Sequence, residues 1–288
     1  MAVSIRQIHP VFVGEVSGVD LRRPLSRDEV AVIEAGMDRH AVLIFPGQHI
    51  TDEQQIAFTR NFGEIENSAG GNVTKPDQKR LDPLMNDVSN LGEDNRPLAR
   101  DDRRRLFNLG NQLWHSDSSF RAVPAKYSLL SGRTVAKKGG NTEFADMRAA
   151  YDALPEATRR RLATLTALHG RSNGPAGEKL YGDDKGKTEK EYAELPRPAV
   201  THHPVTGRPI LFVNPMHCHG IVGMSREESW PLIEELAAHA TQERFVYYHS
   251  WQVGDLLMWD ERATMHRGAG DYHPEERRIM LRTIVYPN

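Results

Sequence analysis

The sequence has very little cysteine and no long apolar run. Cys218 is the single cysteine in 288 residues, so an internal disulfide is excluded. No apolar stretch approaches the ~20 residues that a membrane span needs. The first residues also lack the charged and apolar regions of a signal peptide. We therefore expect a protein of the reducing cytoplasm that has no membrane partner.

Charge of one sign is also scarce. The 37 basic and 39 acidic residues leave a net charge of -2, and the basic runs are limited to the triplets 103–105 and 159–161. Nucleic acid is therefore not an expected partner. Hydrophobic residues make up 39% of the chain, which is enough to form a core. We expect a single domain spanning residues 1–288.

Three capping boxes mark the beginnings of helices. They start at Ser26, Thr51 and Ser225, each followed three positions later by Glu or Gln. A further helix is predicted from Asp146 through about Leu168, with a break at Pro155.

Short strand patterns fill much of the remaining sequence, in an arrangement typical of a mainly β protein with helical decoration around a double-stranded β-helix (jelly-roll) core. Two polar segments with little periodicity, near 67–110 and 172–198, are predicted to be mobile insertions over the functional site. The predicted strands are Tyr127–Leu130, Asn141–Phe144, Ala199–His202, Ile210–Val213, Phe245–His249, Leu256–Trp259 and Ile279–Tyr286.

A possible metal site comes from His115 and Asp117, together with the distant His266. If the first two lie on a strand, period-two alternation points both side chains to one face, roughly 6 to 7 Å apart. Two histidines and one carboxylate are the facial ligand set of non-heme Fe(II) oxygenases. Any one of the 13 histidines is by itself more often structural or exposed. A zinc hydrolase and a non-catalytic metal-binding jelly roll use similar ligands, so both remain alternatives.

Two arginines in the last predicted strand suggest binding of anions. Arg278 and Arg282 are four positions apart, so alternation places them on one face, roughly 13 Å from each other. A buried guanidinium needs an anion, and its planar fork matches a carboxylate. The pair therefore indicates two carboxylate ligands. The alternative is that both arginines face solvent while Ile279, Leu281 and Thr283 face the core.

A collinear set of motifs resembles the taurine/2,4-dichlorophenoxyacetate dioxygenase (TauD/TfdA) family over nearly the whole chain. Within the family, the stretches 110–120 and 245–260 look most like the members that cleave 2,4-dichlorophenoxyacetate. The motifs are Gly18–Leu21, Phe45–Gln48, Gln55–Phe58, Phe62–Gly63, Trp114–Phe120, Gly139–Thr142, Asp146–Tyr151, Gly254–Leu256, Trp259–Asp260, His266–Arg267 and Arg277–Arg278.

The resemblance implies an Fe(II)- and 2-oxoglutarate-dependent dioxygenase in which the three ligands above hold the iron. Thr142 and Arg278 match the positions that bind the distal carboxylate of 2-oxoglutarate. Trp259 matches an aromatic residue beside this cosubstrate, although plain core packing is an equal alternative.

The resemblance also implies residues that bind an acidic small-molecule substrate. Arg282 matches the arginine that receives the substrate's acidic group, with help from the backbone around Ser118. Asn111 matches a polar pocket residue, for which a turn or capping role is the alternative. His217 matches a position that contacts the substrate ring. Lys75 is a further candidate anion contact, with a solvated surface role as its alternative.

The implied reaction consumes 2-oxoglutarate and O2, and releases succinate and CO2. An aryloxyalkanoate hydroxylated next to its ether oxygen would then collapse to a phenol and glyoxylate. The same chemistry on an alkyl sulfonate, a sulfate ester or a cinnamate is the alternative. Taurine-specific relatives carry His and Tyr shortly after the Phe-Gly element, and neither follows Phe62–Gly63 here, which disfavours taurine. The loop Gly268–Glu276 is one residue longer than the resemblance predicts. By analogy we expect a homo-oligomer.

Overall fold

The computed structural model describes residues 2–67, 81–92, 94–99, 102–172, 174–181 and 194–287. The strands are β1 (Ser4–Gln7), β2 (Gly14–Ser17), β3 (Val42–Phe45), β4 (Glu64–Ile65), β5 (Asn86–Asp87), β6 (Tyr127–Thr134), β7 (Thr142–Asp146), β8 (Thr166–His169), β9 (Leu195–Pro198), β10 (Val200–His202), β11 (Pro209–Leu211), β12 (Cys218–Ile221), β13 (Val246–His249), β14 (Leu256–Asp260), β15 (Thr264–Gly268) and β16 (Ile279–Tyr286). The α-helices are α1 (Arg27–His40), α2 (Asp52–Thr59), α3 (Arg103–Asn108), α4 (Met147–Asp152), α5 (Glu156–Leu162), α6 (Pro175–Tyr181) and α7 (Arg226–Ala240), and 3-10 turns span Arg60–Phe62, Leu109–Gln112 and Glu243–Phe245.

The main sheet has eight strands in the order β1-β2-β3-β14-β6-β16-β4, with β5 paired to β16. Its pairs are antiparallel except for β2 with β3. A second sheet has the order β13-β7-β15, and a third has the order β12-β8-β9. The mainly β architecture with helical decoration is thus confirmed.

Both faces of the main sheet are buried, which explains the continuous apolar runs of its central strands. In β3, Leu43 and Phe45 face α1 and α2, in a cluster that contains Ile33 and Phe58. The alternate residues of β3 belong to another cluster, on the opposite face of the sheet. In β14 the same alternation separates Leu256 and Met258 from Leu257 and Trp259.

The second sheet packs against the face of the main sheet that lies away from the helices. Phe144 of β7 meets Trp259 of β14 edge to face, with ring centroids 5.3 Å apart. Phe144 is also opposite His266 in the pairing of β7 with β15. One candidate metal ligand is therefore mounted on the second sheet, beside the space between the two layers.

The three predicted capping boxes are confirmed. Ser26, Thr51 and Ser225 each accept a hydrogen bond from the third residue of the helix, whose side chain bonds back. The helix predicted through Leu168 is wrong at its C-terminal end, because α5 ends at Leu162. Residues 166–169 instead form a strand, whose backbone pairs with β12 and β9.

The two predicted insertions lie partly outside the described residues, so their mobility stays a prediction. The described part of the first insertion contains regular structure that weak periodicity did not indicate. There β5 pairs with β16 through Asn86 and Asp87, and α3 leads directly into a 3-10 turn. Within the described residues, none of the helices has the length and apolar character needed to cross a bilayer.

Candidate active site

A cavity of about 180 Å³ opens between the two sheets and is walled by three loops. It combines polar and charged groups with apolar side chains, as ligand sites commonly do. Its lining includes Val88, Asn90, Leu98, Arg105, Asn108, Leu109, Asn111, His115, Leu130, Gly140, Thr142, Trp259, His266, Tyr272, Pro274, Arg278 and Arg282.

The three predicted metal ligands meet at this cavity. One ligand atom from each of His115, Asp117 and His266 lies within 4.8 Å of the other two. The Nε2 atoms of His115 and His266 are 3.8 Å and 3.9 Å from the carboxylate oxygens of Asp117. Two imidazole nitrogens and one carboxylate oxygen at these separations form a donor set suited to a divalent transition metal.

Backbone pairing brings the two histidines together. His115 and His266 exchange both backbone hydrogen bonds, at 3.1 Å and 2.8 Å, as an isolated antiparallel bridge. The extended pairing stops there, because Asp117 lies in a turn and Ser118 adopts a positive φ of 62°. The premise that His115 and Asp117 share a regular strand is therefore wrong, and the turn carries the carboxylate back to the histidines.

Burial and neighbouring charges set the ionisation states of the ligands. Burial lowers the pKa of His115 and, more strongly, that of His266, so both imidazoles are neutral at pH 7. Burial alone would raise the pKa of Asp117, but the positive charge of the Arg282 guanidinium outweighs it and holds this pKa below its usual range. The cluster thus presents one anion and two neutral nitrogens, the forms in which these groups bind metals.

Two further side chains hold Asp117, one at its carboxylate and one at its backbone N–H. Arg282 donates a hydrogen bond from Nη1 to Asp117 Oδ2. Glu261 Oε2 accepts a hydrogen bond of 2.8 Å from the Asp117 backbone N–H. Burial, followed by repulsion from Asp117, raises the pKa of Glu261 well above its ordinary value.

Arg278 is a partly buried cation at another part of the cavity wall. Burial lowers its pKa, and among the described residues no carboxylate forms an ion pair with it. Its Nη2 donates to the Gly140 carbonyl, at 3.2 Å, and its backbone N–H donates to Asn90 Oδ1, at 2.9 Å. A buried guanidinium that retains unused donors needs an anionic ligand.

Thr142 lines the same cavity, and its hydroxyl oxygen accepts a hydrogen bond of 3.0 Å from Trp251 Nε1. The hydroxyl proton is consequently directed away from Trp251. The preceding loop is tightly formed, because a Cβ on Gly139 would lie 2.5 Å from the Asp271 carbonyl oxygen, and Gly139 has a positive φ. Glycine at this position lets the chain turn closely into β7.

Trp259 and Asn111 also line the cavity. The Trp259 ring lies 4.9 Å from the His266 ring, and its buried Nε1 has no hydrogen-bond partner among the described residues. Trp259 therefore contributes to the core and to the cavity wall at once. Asn111 belongs to the 3-10 turn that precedes His115.

Ser118 and His217, two further predicted substrate contacts, are not among the cavity-lining residues. Ser118 is buried, and His217 packs edge to face on His115 and Phe120, with ring centroids 6.1 Å and 4.8 Å away. His217 Nδ1 accepts a hydrogen bond from the Ser172 backbone N–H. Lys75 lies outside the described residues.

Sequence reasoning gave no role to several residues that the structure brings to the site. Glu261 and Trp251 touch the predicted ligands directly, while Asn90 fixes the backbone of Arg278. Arg105 and Tyr272 contribute to the cavity wall. The sequence did carry a signal for Glu261. It is an acidic residue between the motif residues Trp259–Asp260 and His266, and an acidic side chain near metal ligands often orients them.

Comparison with known proteins places this geometry in a family. The profile described as "Taurine catabolism dioxygenase TauD, TfdA family" matches residues 4–284. The alpha-ketoglutarate-dependent 2,4-dichlorophenoxyacetate dioxygenase of Cupriavidus pinatubonensis is 43% identical over 270 residues, covering 93% of this chain and 92% of that protein. The (S)-phenoxypropionate/alpha-ketoglutarate-dioxygenase of Delftia acidovorans is 38% identical over 260 residues, covering 88% and 84%.

Solved structures agree with the sequence relatives. The crystal structure of AAD-2 in complex with Mn(II) and N-oxalylglycine is 45% identical and superimposes with a TM-score of 0.89, covering 100% of this chain and 98% of that one. With the family profile, the relatives and the fold in agreement, the chain belongs to the TauD/TfdA family of dioxygenases.

Proposed function

We propose that this 2-oxoglutarate-dependent dioxygenase hydroxylates an aryloxyalkanoate at the carbon next to the ether oxygen, so that the product collapses to a phenol and a 2-oxo acid, which is glyoxylate for an aryloxyacetate. The observation that carries the proposal is one cavity lined by the two histidines of the ligand cluster and by both Arg278 and Arg282. Two separate cations beside one metal site match two acidic ligands, the cosubstrate and the substrate.

The ligand cluster fits Fe(II). His115, Asp117 and His266 offer two neutral nitrogens and one oxygen, and a facial set of this kind leaves coordination positions for other ligands. His115 Nδ1 is 2.6 Å from the Leu113 carbonyl oxygen, which orients its Nε2 toward the cluster. When bound, Fe(II) with 2-oxoglutarate supplies the activation of O2 and the oxidant that attacks a C–H bond.

Arg278 and Thr142 are suited to the distal carboxylate of 2-oxoglutarate. Arg278 brings a partly buried guanidinium without an acidic partner among the described residues, and Thr142 brings a hydroxyl whose oxygen already accepts a hydrogen bond from Trp251. Together they offer donors to both carboxylate oxygens. Trp259 closes the wall beside His266 and excludes water there.

Arg282 is suited to the acidic group of the substrate. Its Nη1 donates to Asp117, and the remaining N–H groups of the guanidinium are available to a carboxylate. The substrate acid would thus bind next to the metal ligands and hold a neighbouring carbon close to the reacting centre. Val88, Leu98 and Leu109 line the same cavity and supply the apolar surface that an aryl ring requires.

The names of the relatives support this substrate class. The Cupriavidus relative is named for 2,4-dichlorophenoxyacetate, and the Delftia relative for (S)-phenoxypropionate. More distant relatives at 28% identity are named an alkylsulfatase and a sulfate ester dioxygenase. Sulfate esters, alkyl sulfonates and cinnamates are therefore the comparison substrates. The zinc hydrolase and the non-catalytic alternatives have no support in a family of dioxygenases.

Several further features belong to the same proposal. The packing of the second sheet on the main sheet through Phe144 and Trp259 supports a double-stranded β-helix core within one domain. Asn111, Ser118, His217 and Lys75 remain proposed substrate contacts. A homo-oligomer and a location in the reducing cytoplasm also remain predictions.

The test is an anaerobic titration of the purified protein with Fe(II) and 2-oxoglutarate, followed by addition of O2 with one acid at a time. We expect the weak visible charge-transfer band of the ternary complex, then phenol release from 2,4-dichlorophenoxyacetate or one enantiomer of a 2-phenoxypropionate. Succinate formed with dodecyl sulfate, taurine or cinnamate but with neither phenoxy acid would contradict the substrate class. His115→Ala should abolish the band, whereas the control His202→Ala, at an exposed histidine, should retain it.

A further inference from the structure

Glu261 is a buried acidic residue beside the ligand cluster, and the mechanism above gives it no task. Its side chain lies in the turn between β14 and β15, and the residue is 2% exposed. Burying a carboxylate is costly unless it makes compensating hydrogen bonds. Among the described residues, Glu261 Oε2 accepts a hydrogen bond of 2.8 Å from the backbone N–H of Asp117, and the nearby Ser128 side chain also lowers the pKa of Glu261.

The two histidine ligands differ in how their outer ring nitrogens are held. His115 Nδ1 is 2.6 Å from the Leu113 carbonyl oxygen. His266 Nδ1 is buried and, within the described part of the chain, has no hydrogen-bond partner. Glu261 Oε2, the oxygen that already accepts from Asp117, lies 3.9 Å from this nitrogen.

A histidine that binds a metal through Nε2 carries its proton on Nδ1, and this buried N–H then needs an acceptor. A carboxylate in that position fixes the tautomer and the ring plane and makes the metal-binding nitrogen more basic. A displacement of the ring by about 1 Å would turn the 3.9 Å separation into an ordinary hydrogen bond.

We infer that Glu261 is a positioning residue that holds two metal ligands through one oxygen: Asp117 by its backbone N–H and His266 by its Nδ1–H. The inference rests on the proposed function, because it requires that the cluster bind a metal. It gives the acidic side chain the task of setting metal affinity without touching metal or substrate.

Three variants separate this role from a general loss of packing. Glu261→Met keeps the length of the side chain and removes the acceptor, while Glu261→Gln keeps an oxygen acceptor and removes the charge. The control is Glu143→Gln, because Glu143 is similarly buried and pairs with Arg267, at 2.7 Å, on the sheet face opposite His266. Metal affinity is measured by anaerobic Mn(II) titration followed by electron paramagnetic resonance, and thermal unfolding is recorded without metal.

We expect the Mn(II) Kd of Glu261→Met to rise roughly 10- to 100-fold. Glu261→Gln should lose much less affinity, and Glu143→Gln should match the wild type. Wild-type affinity in a folded Glu261→Met, or an equal loss in the Gln and Met variants, would overturn the inference. A wild-type protein that binds no Mn(II) would instead overturn the proposed function.

A second measurement needs no variant. In the Co(II)-substituted wild-type protein, the Nδ1–H protons of both histidine ligands should give hyperfine-shifted NMR signals that are protected from exchange with water. The Nδ1–H of His115, which faces the Leu113 carbonyl oxygen, accounts for one such signal. The inference requires a second signal, from the Nδ1–H of His266. A single protected signal would overturn it.

Discussion

The guanidinium of Arg282 is hydrogen-bonded to Asp117 Oδ2, so the proposed substrate-binding residue touches a proposed metal ligand directly. This contact gives Arg282 two tasks, since the same guanidinium orients Asp117 and offers its remaining donors to the substrate acid. Substrate charge and metal ligand are thus linked through one side chain.

We predict that Arg282→Gln raises the KM for 2,4-dichlorophenoxyacetate about 10- to 100-fold, the effect of losing a charge-assisted hydrogen bond. The 2-oxoglutarate Kd should rise much less than the KM, because Arg278 is a separate residue of the wall and the loss of the Arg282 contact affects the cosubstrate only through Asp117. Steady-state kinetics and an anaerobic cosubstrate titration measure the two quantities. An equal loss of both affinities would contradict the assignment of one arginine to each acid.

Arg278→Gln should show the opposite pattern. Removal of this partly buried cation should weaken 2-oxoglutarate binding about 10- to 100-fold, while Mn(II) binding without cosubstrate is retained. The neighbouring Arg277→Gln is a matched control, because Arg277 is exposed and Arg278 lines the cavity. The charge-transfer band during titration with 2-oxoglutarate reports the affinity. Similar losses in both variants would indicate a general electrostatic effect.

Thr142 and Trp251 should behave as one unit. Thr142→Val should raise the 2-oxoglutarate Kd about 10-fold by removing the donor hydroxyl. Trp251→Phe should have a smaller effect, because it only frees the orientation of that hydroxyl. In the double variant, Trp251→Phe should add little to Thr142→Val. Strictly additive effects on the Kd would show that the indole does not act through Thr142.

Asp260 provides a test of stability against pH. Burial alone would raise its pKa, but hydrogen bonds from Arg262 and His203 lower it to about 2. Because the pKa of Asp260 in the folded protein lies below the ordinary value of 3.8, its ionised carboxylate stabilises the fold above pH 4. This stabilisation is lost as the pH falls through about 2. That pKa shift corresponds to about 2 kcal/mol in the free energy of unfolding.

Asp260→Asn should therefore destabilise the protein by roughly 3–5 kcal/mol at pH 7, since it leaves Arg262 buried without its carboxylate. The difference in the free energy of unfolding between this variant and the wild type should be smaller at pH 3 than at pH 7. Urea unfolding at both pH values measures this difference. Asp20→Asn is the control, because Asp20 also has a pKa of about 2 but is exposed, so its ion pair with Arg22 is screened by solvent. A pH-independent difference for Asp260→Asn would exclude the electrostatic account.

The parts of the fold that could be predicted from sequence were those set by local chemistry. Capping boxes fix helix starts because the Ser or Thr hydroxyl satisfies a free backbone N–H, as at Ser26. The end of the fourth predicted helix could not be predicted, because 166–169 becomes a strand only through pairing with distant segments. Helical propensity was overridden there by tertiary contacts.

The candidate site likewise has a part that could be predicted from the sequence and a part that could not. The clustering of His115, Asp117 and His266 could be predicted from their chemistry and spacing, but the reason for their proximity could not. Period-two alternation predicted a shared strand, whereas the structure uses a backbone bridge followed by a turn with Ser118 at positive φ. Glu261 and Trp251 were missed because their importance depends on contacts across the fold rather than on local pattern.

The buried strands and the cavity loops differ in how much change they tolerate. A one-residue insertion in β3 or β14 would move the following side chains of that strand to the opposite face of the sheet. It would disturb two core clusters at once, because both faces of the sheet are packed. The loop Gly268–Glu276 runs from the strand that carries His266 to Arg278, and its Gly270, Tyr272 and Pro274 line the cavity. Its length can change while His266 stays in β15 and Arg278 stays next to the start of β16. A change in this loop can therefore reshape the cavity wall while it leaves the proposed iron ligands untouched.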